Sequence, residues 1–261
     1  MPDPTGSPSP AGPTAELQAE LAACRAALEA LRAEQAVFAH GISHDLRAPL
    51  RSIDSFVGLL ARNQSLDDAA REQLERVRAA SQRAGSLIEG LLELSRANRT
   101  ELAPAAVDLG LLAELQLAAL QDAEPAIVLD AAVAPGLLAH GDERLLRQLV
   151  AALLDNAWKF SRASGRVSVR IEGAREGDRL RVSVRDHGCG FDMRYAAKLY
   201  APFQRLHGPE QGAGHGLGLA VAQRIAERHG GRITADSAPG EGATFHLDLP
   251  AADADAGRSD G

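Results

Sequence analysis

From Thr14 onward, Leu17, Leu21, Cys24, Leu28, Leu31, Gln35, Phe38 and Ile42 follow one another at intervals of four and three. That spacing is a heptad seam with one polar member, Gln35. Thr14 is a suitable N-cap, and the helix predicted from it continues through Ile53 and Phe56 to about Ala61. At 1.5 Å per residue such a rod is about 70 Å long. A helix of that length cannot bury its apolar stripe against itself, so the pattern predicts a partner chain. Pro49 lacks a backbone donor and crowds the preceding turn, which predicts a bend. Arg62 to Asp67 reads as a turn, and a second amphipathic helix follows, with Leu74, Val77, Ala84, Leu87, Ile88, Leu91 and Leu94 on one side. Two antiparallel helices per chain, paired between two chains, give a dimeric four-helix bundle.

The pattern changes after Ala103. Ala126 to Val133 is strand-like, and Asp142 then caps a helix running to about Phe160. Val167, Val169 and Ile171 alternate with polar residues, as do Leu180, Val182 and Val184, with a turn near Gly177 and Asp178; these read as half-buried antiparallel strands. A last helix, about Gly216 to His229, stops at Gly230-Gly231, and strands Arg232 to Asp236 and Ala243 to Leu249 follow. This half is predicted to be an α+β sandwich with helices on one face of a mixed sheet. Aromatics supply only 3% of residues, so its core must be built from Leu, Val, Ile and Ala.

Composition sets outer bounds. The net charge of −7 argues against broad binding to nucleic acid or anionic membrane. Cys24 and Cys189 form no metal or disulfide framework. The polar, proline-rich MPDPTGSPSP is no signal peptide, and apolar runs such as Leu149 to Leu154 are too short to span a bilayer. A cytoplasmic protein without a membrane segment is expected.

Three clusters could carry chemistry. In Ser43-His44-Asp45-Leu46-Arg47-Ala48-Pro49-Leu50, His44 lies off the heptad seam, where an exposed imidazole can act as a nucleophile and a nearby carboxylate can hold its tautomer. The same residues also suit an ordinary surface histidine beside a surface acid. In Asp155-Asn156-Ala157-Trp158-Lys159-Phe160, Asn156 offers a neutral oxygen to a magnesium ion. Lys159, one turn later, can meet phosphate, and Trp158 is read as packed beside that pocket; a merely polar helix end is the competing reading. Asp186-His187-Gly188-Cys189-Gly190 follows a strand, and Gly212-Ala213-Gly214-His215-Gly216-Leu217-Gly218-Leu219 opens a helix. Glycines at this spacing let backbone N–H groups approach phosphate, as does a helix N-terminus, and Asp186 can accept a bond from an exocyclic amine such as that of adenine. A glycine pattern alone is as often only a turn. No Gly-Lys-Ser/Thr ending is present, which excludes a P-loop.

The order of the clusters resembles that of sensor histidine kinases of two-component systems, especially the kinase modules of bacterial phytochromes and PAS or GAF sensors. The resemblance covers roughly Phe38 to Pro250. Phe-Ala-His-Gly-Ile-Ser-His-Asp-Leu-Arg-Ala-Pro-Leu is similar to the phosphoacceptor box, and Leu-Leu-Asp-Asn-Ala-Trp-Lys-Phe-Ser to the asparagine box. Arg-Asp-His-Gly-Cys-Gly-Phe-Asp resembles the first glycine box, and Ala-Pro-Phe-Gln-Arg-Leu-His at 201 to 207 the phenylalanine box. Gly-His-Gly-Leu-Gly-Leu and Gly-Glu-Gly-Ala-Thr-Phe resemble the later glycine boxes.

The resemblance implies an ATP-dependent autokinase that phosphorylates His44, with Asp45 as its acid–base partner. It implies ATP and Mg2+ held by Asn156, Lys159, Asp186, Gly188, Gly190, Phe203, Gly214, Gly216, Leu217, Gly218 and Thr244, the metal through Asn156. The phosphoryl group would pass to an aspartate in the receiver domain of a response regulator. The implied organisation is a disordered start at 1–14, a coiled-coil signalling helix at 15–37 and a homodimeric phosphotransfer domain at 38–98. A linker at 99–107, an ATP-binding domain of the gyrase–chaperone–kinase type at 108–250 and a disordered tail at 251–261 complete it. No sensor domain precedes the coiled coil, so the signal is expected from a separate sensor protein, a very short segment or sequence upstream of Met1. Three positions depart from the family pattern: Ala152 stands where the asparagine box opens with a polar residue, His215 where Thr is common, and Ala48 where strongly bifunctional members carry Thr or Asn. A serine-kinase or chaperone-like ATPase of the same pocket class needs no helix like that bearing His44, and a non-catalytic scaffold needs no Asn156, Asp186 or glycine boxes.

Overall fold

The computed structural model describes residues 13–63, 66–99, 101–204 and 216–253. Gly214 and most of the segments expected at 1–14 and 251–261 lie outside that range. So do the side chains of His44 and of the seam residues Leu28, Leu31, Gln35, Phe38 and Ile42.

The chain is a helical hairpin followed by an α+β sandwich with a mixed sheet. Helix α1 (Pro13–Ala61) is unbroken across the 37/38 boundary expected from sequence, and Pro49 lies inside it without ending it. Helix α2 (Asp68–Arg99) returns antiparallel. The hairpin register is set where the Ser81 hydroxyl donates to the Leu50 carbonyl at 3.3 Å and Arg78 lies 3.6 Å from the Asp54 carboxylate. Val57, Ile88 and Leu92 are buried along the seam, while Ile53, Phe56, Leu59, Leu60 and Val77 stay exposed on the single chain.

Strand β1 (Pro104–Asp108) pairs antiparallel with β3 (Leu138–Asp142). Part of the expected linker is therefore strand. The Asp108 carboxylate accepts from the N–H groups of Gly110 and Leu111 at 2.9 and 3.2 Å, capping α3 (Leu109–Ala123). Asp142 caps α4 (Glu143–Ser161) through the Leu145 N–H, as its sequence position predicts.

The main sheet runs in the order β2-β4-β5-β7-β6. Its members are β2 (Val128–Val133), β4 (Arg166–Glu176), β5 (Arg179–Asp186), β6 (Arg232–Ser237) and β7 (Ala243–Pro250). β2 is parallel to β4 and the other pairs are antiparallel. Helices α3, α4 and α5 (Gly218–Arg228) cover one face. Leu146, Leu149, Leu153, Val221 and Ile225 join Val167, Val169, Val182, Val184, Phe245 and Leu247 in one core. Each such side chain stabilises the fold by roughly 1.5–3 kcal/mol relative to exposure.

The expected tail is pinned at its start. Ala251 bridges to Ala139, the Ala252 N–H donates to the Leu138 carbonyl, and Asp253 pairs with Arg175 at 2.8 Å. Among the described residues no helix is long and apolar enough to cross a membrane.

Candidate nucleotide and phosphoacceptor sites

Asp186 ends β5 with its side chain on the core side of the sheet, as the alternation of Val182 and Val184 dictates. It is 5% exposed. Its Oδ1 accepts from the Gly188 N–H at 2.8 Å and the Ala243 N–H at 3.3 Å. Among the described residues Oδ2 has no donor, so it is available to one from outside. Burial pushes the Asp186 pKa up, and the two backbone bonds and His187 partly offset it.

Two glycine turns close around this acid. A Cβ on Gly188 would lie 2.8 Å from the Phe160 carbonyl oxygen. That carbonyl, at the end of α4, accepts the Cys189 N–H at 3.2 Å. Gly190 (φ +60°) would meet the Ala238 carbonyl at 2.0 Å, and Gly242 (φ +82°) the Asp186 carbonyl at 2.1 Å. Only glycine combines those dihedrals with that approach. The Gly240 N–H donates to the Cys189 carbonyl, and the Ser237 hydroxyl joins Gly242 to Phe191. The first and last glycine boxes are thus one interlocked unit tied to the end of α4.

Asn156 and Lys159 sit on α4, half-buried and one turn apart, and the Lys159 ammonium lies 4.5 Å from the centre of the Phe160 ring. The α5 N-terminus meets the same helix, because a Cβ on Gly218 would touch the Ala152 methyl at 3.8 Å. Ala152 therefore stands on the side of α4 that faces the start of α5. Gly216 (φ +68°) has no room for a Cβ beside the Gln204 carbonyl. Its own carbonyl accepts the N–H of Phe203, a residue held at φ +65° and half exposed. Leu217 is buried against α2.

The structure does not bring Thr244 to this cluster. β7 alternates, so Ala243 and Phe245 face the core while Thr244 faces the outer side of the sheet. There it lines a groove of about 500 Å³ with Ser183, Arg185, His187 and His246. Its neighbour Ala243 supplies the contact through its backbone N–H. The roles of Ala243, Gly242 and the Phe160 carbonyl were missed because backbone groups leave no residue-type signature; the spacing of Gly240 and Gly242 was the available signal. Trp158 is also not beside the pocket. It is buried, and its indole donates at 3.3 Å to Glu124, which also takes a 2.6 Å bond from Arg162.

On the hairpin, His44 and Asp45 lie inside α1, with Ser43 fully buried and Asp45 exposed. Ala48 follows His44 by one turn and is exposed.

The two units match two family descriptions. Residues 34–100 match the His Kinase A (phospho-acceptor) domain. Residues 141–253 match the histidine kinase-, DNA gyrase B-, and HSP90-like ATPase. Phytochrome-like protein Cph1 of Synechocystis is 29% identical over 235 residues, which is 88% of this chain and 31% of that protein. Cyanobacterial phytochrome A of Nostoc is 32% identical over 235 residues, 88% of this chain and 30% of that protein. AtoS of Escherichia coli, a signal transduction histidine-protein kinase, is 32% identical over 216 residues, 80% of this chain and 34% of that protein. The chain thus spans about a third of the length of these relatives. Full-length ShkA, solved in complex with AMPPNP, superposes with a TM-score of 0.61 at 29% identity, covering 83% of this chain and 46% of that one. The histidine kinase AdeS of Acinetobacter baumannii shares the fold at a TM-score of 0.54 and 22% identity, covering 80% of this chain and 98% of that one.

A helical hairpin with a phosphoacceptor box, joined to an ATPase sandwich of the gyrase–chaperone class, defines a histidine kinase core. The chain belongs to the sensor histidine kinases, with both characteristic domains in their usual order.

Proposed function

We propose that this chain transfers the γ-phosphoryl group of ATP to His44 and then to an aspartate in the receiver domain of a response regulator. The observation that supports this best is the joining, in one chain, of the helix bearing His44-Asp45 to the interlocked unit around Asp186. That ShkA was solved with AMPPNP supports a nucleotide in the corresponding pocket.

In this reading Asp186 Oδ2 accepts a hydrogen bond from the adenine amine. The glycine turns at 188–190 and 240–242 leave space along one edge of the base. Lys159 meets phosphate oxygens, and the N–H groups opening α5 at Gly216, Leu217 and Gly218 face the same charge. Phe203, bonded through its N–H to the Gly216 carbonyl, stands beside the start of α5, and Gly214 keeps the role that the family resemblance implies. Among the described residues there is no group of three or more His, Cys, Asp or Glu side chains that could hold a metal. A single neutral oxygen from Asn156 suits Mg2+, which keeps waters and takes its other ligands from substrate phosphates. When bound, that ion neutralises charge on the phosphate oxygens.

A ring nitrogen of His44 attacks the γ-phosphorus, the bond to the bridging β–γ oxygen breaks, and ADP leaves with that electron pair. Asp45 takes the proton displaced from the ring. Two chains pair through the exposed apolar stripe of α1 and α2. The test is incubation with γ-labelled ATP and Mg2+. A phosphohistidine label is lost in acid and kept in base; an acid-stable label would point to a hydroxyl acceptor and a serine kinase of the same pocket class.

A further inference from the structure

The hairpin carries four glycines in helix interiors. At Gly41, Gly58 and Gly85 an added Cβ would meet nothing within 4 Å, but at Gly90 it would lie 2.5 Å from Leu217 Cδ1, 3.0 Å from its Cβ and 3.3 Å from its Cγ. Gly90 is therefore a notch in α2 that the Leu217 side chain fills, and Leu217 is only 3% exposed. Glycine is among the poorest helix formers, so α2 gives up helix stability at the point where the ATPase unit touches it. At the other end of α5, the Arg228 guanidinium donates at 2.7 Å to the carbonyl of Ala97, itself fully buried in the sandwich core. The two contacts hold α5 along the last turns of α2.

Height along the hairpin gives the notch its meaning. Ser81 meets Leu50 and Arg78 meets Asp54. In that antiparallel register Gly90 lies level with Gly41 and Ile42, about 4 Å of helix rise from His44. Leu217 belongs to the glycine-rich turn that opens α5. One residue thus joins that turn to the hairpin within a turn of the phosphoacceptor.

We infer that Gly90 is a positioning residue for phosphoryl transfer: it seats Leu217 and so sets the height of the ATP-binding unit beside His44. The inference rests on the autokinase reading. A side chain at 90 pushes on the Leu217 side chain and shifts the ATP-binding unit as a body, so the donor is displaced from the acceptor while the pocket, with the Leu217 N–H, moves together with the nucleotide.

The experiment uses the full chain with Gly90→Ala, Gly90→Leu, Leu217→Ala and Gly90→Ala/Leu217→Ala. Gly90→Leu should lower kcat for His44 labelling about tenfold or more with KM for ATP unchanged, because small displacements of reacting groups are costly. Gly90→Ala should slow labelling without lowering the thermal midpoint, since alanine favours helix. Adding Leu217→Ala should recover part of that loss. An unchanged or faster kcat in Gly90→Leu, a rise in KM that accounts for the loss, or strictly additive effects in the double variant would each overturn the inference. A wild type that takes no label would refute the kinase reading instead. The seat is then judged by the thermal midpoints of the four variants, where non-additivity between 90 and 217 supports it and additivity refutes it.

Discussion

At the residue scale the account turns on Asp186. A buried carboxylate with a raised pKa is less favourable to ionise in the fold than in the unfolded chain, so its charge costs stability above that pKa and the cost disappears as pH falls through it. Asp186→Asn keeps an oxygen for the Gly188 and Ala243 N–H groups and removes the charge. We expect its thermal midpoint at neutral pH to match or exceed that of wild type. Nucleotide binding should weaken by about 1.5–3 kcal/mol, the worth of a hydrogen bond to a charged group; calorimetric titration would check this, and unchanged affinity would refute the pocket assignment. Ala48 makes the second residue-scale prediction. In the resembled family, the water that removes phosphate from a partner is held by a Thr or Asn side chain one turn after the histidine. Alanine offers neither donor nor acceptor, so the wild type should be a poor phosphatase toward a phosphorylated receiver domain. Ala48→Thr should be faster, and rapid dephosphorylation by wild type with no gain in the variant would contradict this. Asp186 and the glycines were legible in the sequence because each had to be that residue type. Thr244 was misplaced because a motif does not say which side of a strand its members face, and Trp158 because a helix turns about 100° per residue.

At the element scale, β4, β5, β7 and α4 were readable from alternation and capping, and β1, α3 and β3 were not. In α3, Leu111 and Leu115 are exposed while Leu109, Leu112 and Leu117 are buried, so apolar residues on both sides erase the helical period. In β1 only Val107 is buried, too few residues to show a period of two. Asp142 joins the hidden elements to the legible ones. Its Oδ1 caps α4, its Oδ2 takes the Ala103 N–H at 3.1 Å, and its own N–H donates at 2.9 Å to Nε2 of the buried His229. Burial opposes its ionisation. The backbone bonds from Ala103 and Leu145, with Arg144 and His229 nearby, outweigh that and hold its pKa below the ordinary carboxylate value. A depressed pKa means stability present above the unfolded value and lost as pH falls through the folded one. Asp142→Ala should therefore cost about 1–2 kcal/mol at neutral pH, the usual loss of a helix cap. The difference from wild type should shrink as the solution is acidified below the ordinary carboxylate range; denaturant melts at neutral and acid pH would show it, and a gap independent of pH would argue against the carboxylate's part.

At the scale of the whole molecule, the heptad seam and the exposed Ile53, Phe56, Leu59 and Leu60 predict a dimer through α1 and α2. Light scattering at micromolar concentration should return twice the mass of one chain, and a monomer would refute the bundle. The hairpin-then-sandwich order was legible because the hydrophobic period changes from seven to two along the chain. The seating of α5 on α2 was not, because it rests on one glycine and one leucine more than a hundred residues apart. The central claim is that one unit binds ATP and the other accepts its phosphate at His44. It is tested most directly by His44→Gln, with labelling and nucleotide affinity measured on the same preparation. The account predicts no label from γ-labelled ATP with affinity equal to wild type, because His44 lies on α1 and the pocket in the sandwich. Label that survives the substitution would contradict it.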